Sequence, residues 1–174
     1  MTIEIRACTP SDAEALAAVG QATFLETYAG IVDGADILSH GLKVHAARSY
    51  MALLDDPAVD LFLAEAAPGR APVGFAMLCP PDLPVETIPG DLELRRIYVL
   101  HRFHGEGLGP RLMEAVIDRA AARGSGRLLL GAYGENHRAI AFYRRFGFRQ
   151  VGTRKFRVGA NDYDDVVLAR DFQA

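Results

Sequence analysis

Three glycines at alternate positions join a predicted strand to a predicted helix in the second half of the chain. Apolar residues over 92–99 predict the strand, and apolar residues at steps of four from Leu108 to Ala120 predict a helix that ends at Gly124. The turn between them reads His104, Gly105, Glu106, Gly107, Leu108 and Gly109. Glycines at a helix start let several backbone N–H groups converge on one anion, so this turn is expected to bind phosphate through its main chain.

Two other phosphate-binding loops do not match this turn. A P-loop ends in Gly-Lys-Ser or Gly-Lys-Thr, whereas here Gly109 is followed by Pro110 and Arg111. A dinucleotide-binding turn needs a further glycine where the chain has Leu112, and the early strand that such a fold requires is missing upstream. A turn that only caps a helix remains the alternative to phosphate binding.

The strand before the turn has an interrupted apolar pattern. Its apolar residues fall at Leu92 and Leu94 and then at Ile97 and Val99, so the period of two slips by one residue. One extra residue near 95–96 predicts a β-bulge, which would release main-chain groups from the sheet.

The remaining segments predict a mixed sheet covered by helices. Turn-forming residues and apolar periodicity give the following predicted elements. Strands are expected over 1–6, 59–66, 73–79, 92–99, 127–130, 149–157 and 162–170, and helices over 11–28, 37–54, 108–124 and 136–146. A break at Gly41 is left open, and four prolines between 80 and 89 predict a surface loop.

The composition limits the class of protein. With 174 residues, half of them apolar, the chain is expected to form a single domain over 1–174. A net charge of −3 disfavours a nucleic-acid partner, because the basic field that attracts phosphate backbones is missing. No apolar run approaches the roughly 20 residues that span a bilayer. The first residues also lack the pattern of a secretion signal, so a cytoplasmic location with no membrane partner is expected.

Cysteine and histidine usage predicts neither a disulfide framework nor a metal site. The only cysteines are Cys8 and Cys79, both beside apolar or proline residues. The five histidines show no H-x-x-x-H or H-E-x-x-H spacing. We therefore expect no bound metal.

A second motif follows the glycine turn, and the two together resemble a known family. Residues 136–148 are similar to the pattern N-x-x-A-x-x-F-Y-x-x-x-G-F of the GCN5-related N-acetyltransferases (GNAT superfamily). Residues 104–109 resemble the Q/R-x-x-G-x-G/A loop of the same family, with His104 in the Gln/Arg position. Residues 92–99 and the tail from Phe156 to Asp165 look like the Pai-type polyamine acetyltransferase branch.

The resemblance implies a fold, a cosubstrate and a reaction. The implied fold is an α/β (α+β) GNAT fold, in which a mixed, mostly antiparallel sheet of six to seven strands has a bulged, splayed central strand and helices on both faces. The implied cosubstrate is acetyl-CoA. The implied reaction is direct transfer of acetyl to an amine through a tetrahedral intermediate.

Two side chains are candidates for the proton transfers of this reaction. Tyr143 is a phenol with an ordinary pKa near 10, so it is protonated at neutral pH and can donate to a departing thiolate, as a matching tyrosine does in the family. Glu93 stands at the spacing of the family's strand glutamate and could accept the amine proton through water. The alternatives are an aromatic packing role for Tyr143 and a salt bridge with a neighbouring arginine for Glu93.

The cofactor-binding residues follow from the turn and from the resemblance. The backbone over 97–99 is expected to donate to the thioester carbonyl, the histidine of the turn is expected to donate to phosphate, and Asn136 is expected to cap a helix and contact the pantetheine arm. The predicted set is Ile97, Tyr98, Val99, His104, Gly105, Glu106, Gly107, Leu108, Gly109, Pro110, Asn136, Ala139, Tyr143 and Arg145.

The acceptor is expected to be a small primary amine, with a polyamine as one option. The acids Asp162, Asp164 and Asp165 would favour a cationic acceptor, although they could equally form a solvated turn. Acetylation of a protein or peptide and a noncatalytic acyl-CoA-binding regulatory module are the alternatives. The oligomeric state is left open, with a homodimer among the options.

Overall fold

Seven β-strands form one sheet with a single parallel pair of neighbours in the computed structural model, which describes residues 2–172. The strands are β1 Ile3–Ala7, β2 Asp60–Ala66, β3 Ala71–Cys79, β4 Leu92–Val99, β5 Arg127–Tyr133, β6 Arg149–Val158 and β7 Asn161–Asp171. Their order across the sheet is β1-β2-β3-β4-β5-β7-β6, and only β4 and β5 run parallel. The mixed, mostly antiparallel sheet expected from the sequence is confirmed.

Five α-helices accompany the sheet within the same residues. They are α1 Ala13–Tyr28, α2 Gly34–Val44, α3 Ala47–Leu54, α4 Leu108–Ala122 and α5 His137–Arg145. The predicted helix over 37–54 is therefore two helices, and the break lies at His45 and Ala46 rather than at Gly41. His45 leaves the helical path because its buried ring hydrogen-bonds the Tyr50 hydroxyl at 2.8 Å. None of the helices in this part of the chain has the length and apolarity needed to cross a bilayer.

The bulge in β4 is confirmed, and it lies at Arg95. Met77 of β3 faces Arg96, but Leu78 faces Leu94, so Arg95 is the extra residue that has no partner in β3. After the bulge, Ile97 and Val99 pack in the core with α4, while Tyr98 packs in the core with α1. Residues alternate across a strand, so Arg96 lies on the α1 face together with Tyr98.

A gap opens between β4 and β5 beyond the bulge. The two strands pair only through Leu92 with Leu128 and Glu93 with Leu129. Further along, β5 remains paired with β7 up to Tyr133, while β4 remains paired with β3 up to Val99. The sheet therefore splits at its centre, and the loop after β4 leads directly from this gap into α4.

Candidate functional site

The glycine turn lies at one end of the gap and presents free amides. Gly105 and Gly107 adopt φ angles of 87° and 76°, the left-handed region that glycine tolerates best. Within residues 2–172, the N–H groups of Gly105, Glu106 and Gly107 donate to no other protein group. The next two amides, of Leu108 and Gly109, belong to the first turn of α4, where helical partners are lacking. The turn therefore leaves main-chain donors available to an anion.

The side chains of the turn contribute less than its backbone. Nε2 of His104 lies 2.8 Å from the carbonyl oxygen of Val99 and donates to it. The Nε2 proton is thereby used within the protein, and Nδ1 is the ring nitrogen that remains to face a ligand. Leu108 is 1% exposed and packs in the core, and Pro110 has no N–H to offer.

Helix α5 lies against the start of α4 and carries the second motif. Oδ1 of Asn136 accepts from the N–H of Ala139 at 3.0 Å, so Asn136 caps α5 as predicted. A Cβ at Gly109 would lie 3.7 Å from the Phe142 ring, an ordinary van der Waals distance, so the start of α4 faces this ring of α5. The guanidinium of Arg145 is exposed and lies 5.8 Å from the centre of the same ring.

Tyr143 extends from α5 and is partly buried against the core. Its ring contacts Phe142 and Phe148 edge-on, at centroid distances of 5.5 and 6.0 Å. No hydrogen-bond partner for its hydroxyl is found among the described side chains and backbone groups. Burial, and to a lesser degree the nearby Tyr98, raises the pKa of Tyr143 above that of a free phenol. The hydroxyl is therefore protonated at neutral pH and available to donate.

Three tyrosines from different elements come close together at the gap. Tyr98 of β4 stacks on Phe75 at 5.8 Å, and Tyr28 is the last residue of α1. Interaction with Tyr98, followed by burial, raises the pKa of Tyr28, and Tyr143 adds a smaller effect. Tyr28 could not be predicted from the sequence, because nothing in the local pattern tells which face of α1 its final residue occupies.

A buried ion pair lies near these tyrosines. Asp165 of β7 is 5% exposed and accepts from Nε and Nη2 of Arg154 in β6, both at 3.0 Å. The guanidinium lies over Gly131 of β5, where a Cβ would come within 2.6 Å of it. Burial raises the pKa of Asp165, and the Arg154 charge partly opposes this effect.

Glu93 is 2% exposed, and its carboxylate is already engaged. Its Oε2 accepts from the backbone N–H of Asp82 at 2.8 Å and from Nη2 of Arg95 at 2.9 Å. The same Arg95 nitrogen donates to the carbonyl oxygen of Pro80. These contacts attach the loop over 80–91 to β4 and correspond to the salt-bridge alternative for Glu93.

Comparisons with known proteins find that the chain is similar to acetyltransferases. Residues 36–148 match the acetyltransferase (GNAT) family. An uncharacterized N-acetyltransferase of Mycobacterium tuberculosis is 35% identical over 161 residues, which cover 92% of this chain and 98% of that protein. The spermine/spermidine N(1)-acetyltransferase of Bacillus subtilis is 34% identical over 86 residues, covering 48% of this chain and 57% of that protein.

A solved structure shares the whole fold. The PaiA N-acetyltransferase of Thermoplasma acidophilum, in complex with coenzyme A, superposes with a TM-score of 0.76 at 20% identity and covers 99% of this chain and 100% of that one. The two chains therefore share the fold. Together with the family match over residues 36–148, these similarities show that the chain belongs to the acetyltransferase (GNAT) family of N-acetyltransferases, which use acetyl-CoA.

Proposed function

We propose that this protein transfers acetyl from acetyl-CoA to a primary amine of a small molecule. The observation that carries the proposal is the gap between β4 and β5, which opens beside the free amides of the glycine turn and next to the unpartnered hydroxyl of Tyr143. The gap would thus bring a binding site for an anionic cofactor arm and a proton donor to one place.

The chain offers a place for each part of the cofactor. The backbone amides of 105–109 would hold the diphosphate. The side-chain nitrogen Nδ2 of Asn136, which the helix cap does not use, would donate to the pantetheine arm. Arg145 is exposed and could reach a ribose phosphate, while Ala139 leaves room beside the arm. When bound, acetyl-CoA supplies the acetyl thioester.

The backbone of β4 supplies the donor for the developing oxyanion. The N–H of Leu100 donates to Val73 of β3 at 2.9 Å. Successive residues of a strand direct their N–H groups to opposite edges, so those of Ile97 and Val99 point into the gap. A donor fixed in a strand stabilises the oxyanion without reorganising, which is the usual basis of such catalysis.

The reaction needs two proton transfers, one to the departing thiolate and one away from the amine. As the new C–N bond forms and the C–S bond breaks, Tyr143 would donate its proton to the thiolate. The amine proton would leave through water. Glu93 remains a candidate base for this step, although its ion pair with Arg95 favours a role in positioning the loop over 80–91.

An acceptor assay tests the proposal directly. Thiol release from acetyl-CoA would be followed over a panel of amino acids, amino phosphates, polyamines and peptides, and products would be identified by mass spectrometry. We expect at least one small amine to be acetylated faster than acetyl-CoA is hydrolysed by water. Cofactor binding with no turnover on any amine would contradict the proposal, and turnover on peptides alone would assign the protein to peptide acetylation.

Replacing Tyr143 with phenylalanine tests the proton donor. Tyr143→Phe removes only the hydroxyl, so we expect kcat to fall by roughly 100-fold, the usual scale for loss of a general acid. The dissociation constant of acetyl-CoA, measured by calorimetry, should be unchanged. An unchanged kcat would remove Tyr143 from the mechanism.

A matched pair of glycine variants tests the turn. Gly107 and Gly124 both have left-handed φ angles, of 76° and 71°, and a Cβ at either would touch nothing within 4 Å. Alanine should therefore cost each site a similar strain, about 1–2 kcal/mol in the free energy of unfolding. We expect only Gly107→Ala to weaken acetyl-CoA binding, by about 10-fold. Equal affinities in the two variants would argue against diphosphate binding at the turn.

Matched substitutions of Glu93 and of its partner Arg95 distinguish a catalytic role of Glu93 from a structural one. Glu93→Gln and Arg95→Gln disrupt the same ion pair from opposite sides, so each should lower the free energy of unfolding by about 1–3 kcal/mol. We expect kcat to change by less than about 10-fold in both variants. A loss of about 100-fold confined to Glu93→Gln, together with loss of the acidic limb of the pH profile, would instead assign Glu93 as the base.

A further inference from the structure

We propose that the acceptor amine also carries an oxyanion, a carboxylate or a phosphate, and that Arg96 binds it. This inference rests on the proposed function, since it identifies the class of amine that occupies the α1 face of the gap. It also replaces the expectation of a polyamine. The residues that carry it are Arg96 itself and the acids around the gap.

Arg96 is a partly buried cation without an anionic partner. Within residues 2–172 it forms no ion pair. Its Nη1 lies 3.5 Å from Sδ of Met77, and its guanidinium also interacts with the Tyr50 hydroxyl. Its guanidinium lies 5.7 Å from the centre of the buried Tyr50 ring. A guanidinium has five N–H donors, so most of the donors of Arg96 remain available to a ligand.

Four of the other partly buried arginines of the same residues pair with a carboxylate. They are Arg6, Arg95, Arg127 and Arg154. Partial burial of a charge is costly unless the charge is paired. Arg170 also lacks a carboxylate partner, since its Nε donates to the carbonyl oxygen of Phe146 and its Nη1 is buried without a partner. Of these two exceptions, only Arg96 lies on β4 beside Tyr98.

The position of Arg96 relates it to the reacting centre. Arg96 and Tyr98 are alternate residues on the same face of β4, so their Cα atoms lie about 7 Å apart. Tyr98 in turn perturbs the pKa of Tyr143. An amine placed near Tyr98 and Tyr143 could therefore present an anionic group, a few bonds away, to Arg96. The planar fork of arginine suits two oxygens of a carboxylate or phosphate.

Among residues 2–172, no carboxylate forms an ion pair with Arg96, and the titratable groups beside it are neutral at pH 7. His40 and His45 lie nearby, and the pKa of each is lowered, first by burial and then by the Arg96 charge. The pKa of His45 falls to about 3, so its ring is neutral at pH 7. Tyr50 and Tyr98 also lie close to Arg96, and the hydroxyl of each stays protonated because burial raises its pKa.

The acids that seemed to favour a cationic acceptor are already paired. Register places each acid of β7 near a basic residue of β6. The pairs are Arg154–Asp165, Lys155–Asp164 and Arg157–Asp162. A polyamine at the gap would thus meet an unpaired guanidinium and no free carboxylate among these acids, which disfavours its binding.

The test compares acceptors that differ only in the anionic group. Initial rates with acetyl-CoA would be measured for amino acids against their carboxamides, for phosphoethanolamine against ethanolamine, and for spermidine. We expect kcat/KM to be at least about 10-fold higher for the anionic member of one pair, and higher than for spermidine. The pair that shows the preference identifies carboxylate or phosphate as the group. A preference for spermidine or for the neutral members would overturn the inference while leaving acetyl transfer intact.

A variant assigns the preference to Arg96. Arg96→Gln should lower kcat/KM for the anionic acceptor by about 10- to 100-fold, mainly through KM, and leave the neutral member unchanged. Arg149→Gln removes an equal charge from an exposed pair with Asp171 and should change neither acceptor. Thermal unfolding of both variants serves as the control for folding. Equal losses for the acid and its carboxamide would overturn the inference.

The inference and the proposed function can fail separately. If no amine is acetylated although acetyl-CoA binds, the proposed function is wrong. Calorimetric titration of the CoA-bound protein with the same acids and amides then decides the inference. Binding of an acid that Arg96→Gln weakens about 10-fold would support an oxyanion site. Absence of binding, or binding indifferent to the substitution, would reject it.

Discussion

The extra residue at Arg95 is the constraint on which the site depends. It lets β4 keep its pairing with β3 on both sides of the bulge while β4 and β5 share only two paired positions. Without it, a regular strand could pair with β5 along its length, and the N–H groups of Ile97 and Val99 would be used within the sheet. The bulge therefore converts a central strand, which would normally be saturated on both edges, into one with a free edge next to a helix start.

Opening a sheet at its centre costs backbone hydrogen bonds, and the surrounding structure offsets this cost. The α4 stripe from Leu108 to Ala120 is buried mainly against β1 to β4, and the same core cluster includes Leu128 and Leu130 of β5 on the other side of the gap. On the far side, β5 pairs with β7 at seven successive positions from Arg127 to Tyr133. The free groups of β4 are thus held in place by neighbours that do not themselves depend on the missing pairs.

Local sequence patterns predicted much of this arrangement, for a physical reason. Periodicity, glycine turns and helix caps act within a few residues, so the bulge, the glycine turn and the Asn136 cap could all be predicted from the sequence. The break at His45 could not, because it depends on a hydrogen bond to Tyr50 in the next helix. The direction of the His104 ring likewise depends on a carbonyl of the preceding strand.

Contacts between distant segments were beyond these patterns. Glu93 lies next to arginines in the sequence, so a salt bridge could be anticipated, but its bond to the backbone of Asp82 depends on the path of a proline-rich loop. Tyr28 approaches Tyr98 because α1 packs on β3 and β4. No spacing within one segment encodes such an approach, so these members of the site required the folded structure.

The distribution of charge around the site also depends on the folded structure and not on composition alone. The acids of the last hairpin suggested a field that attracts cations, yet an acid contributes to such a field only when no base lies opposite it. In β6 and β7 the register places bases and acids side by side, which cancels their charges locally. The bulge has the opposite effect, because it leaves the charge of Arg96 uncancelled. It places Arg96 on the α1 face beside Tyr98, where no acid of the described residues forms an ion pair with it. The electrostatic character of the acceptor side therefore follows from strand register rather than from the net charge of the chain.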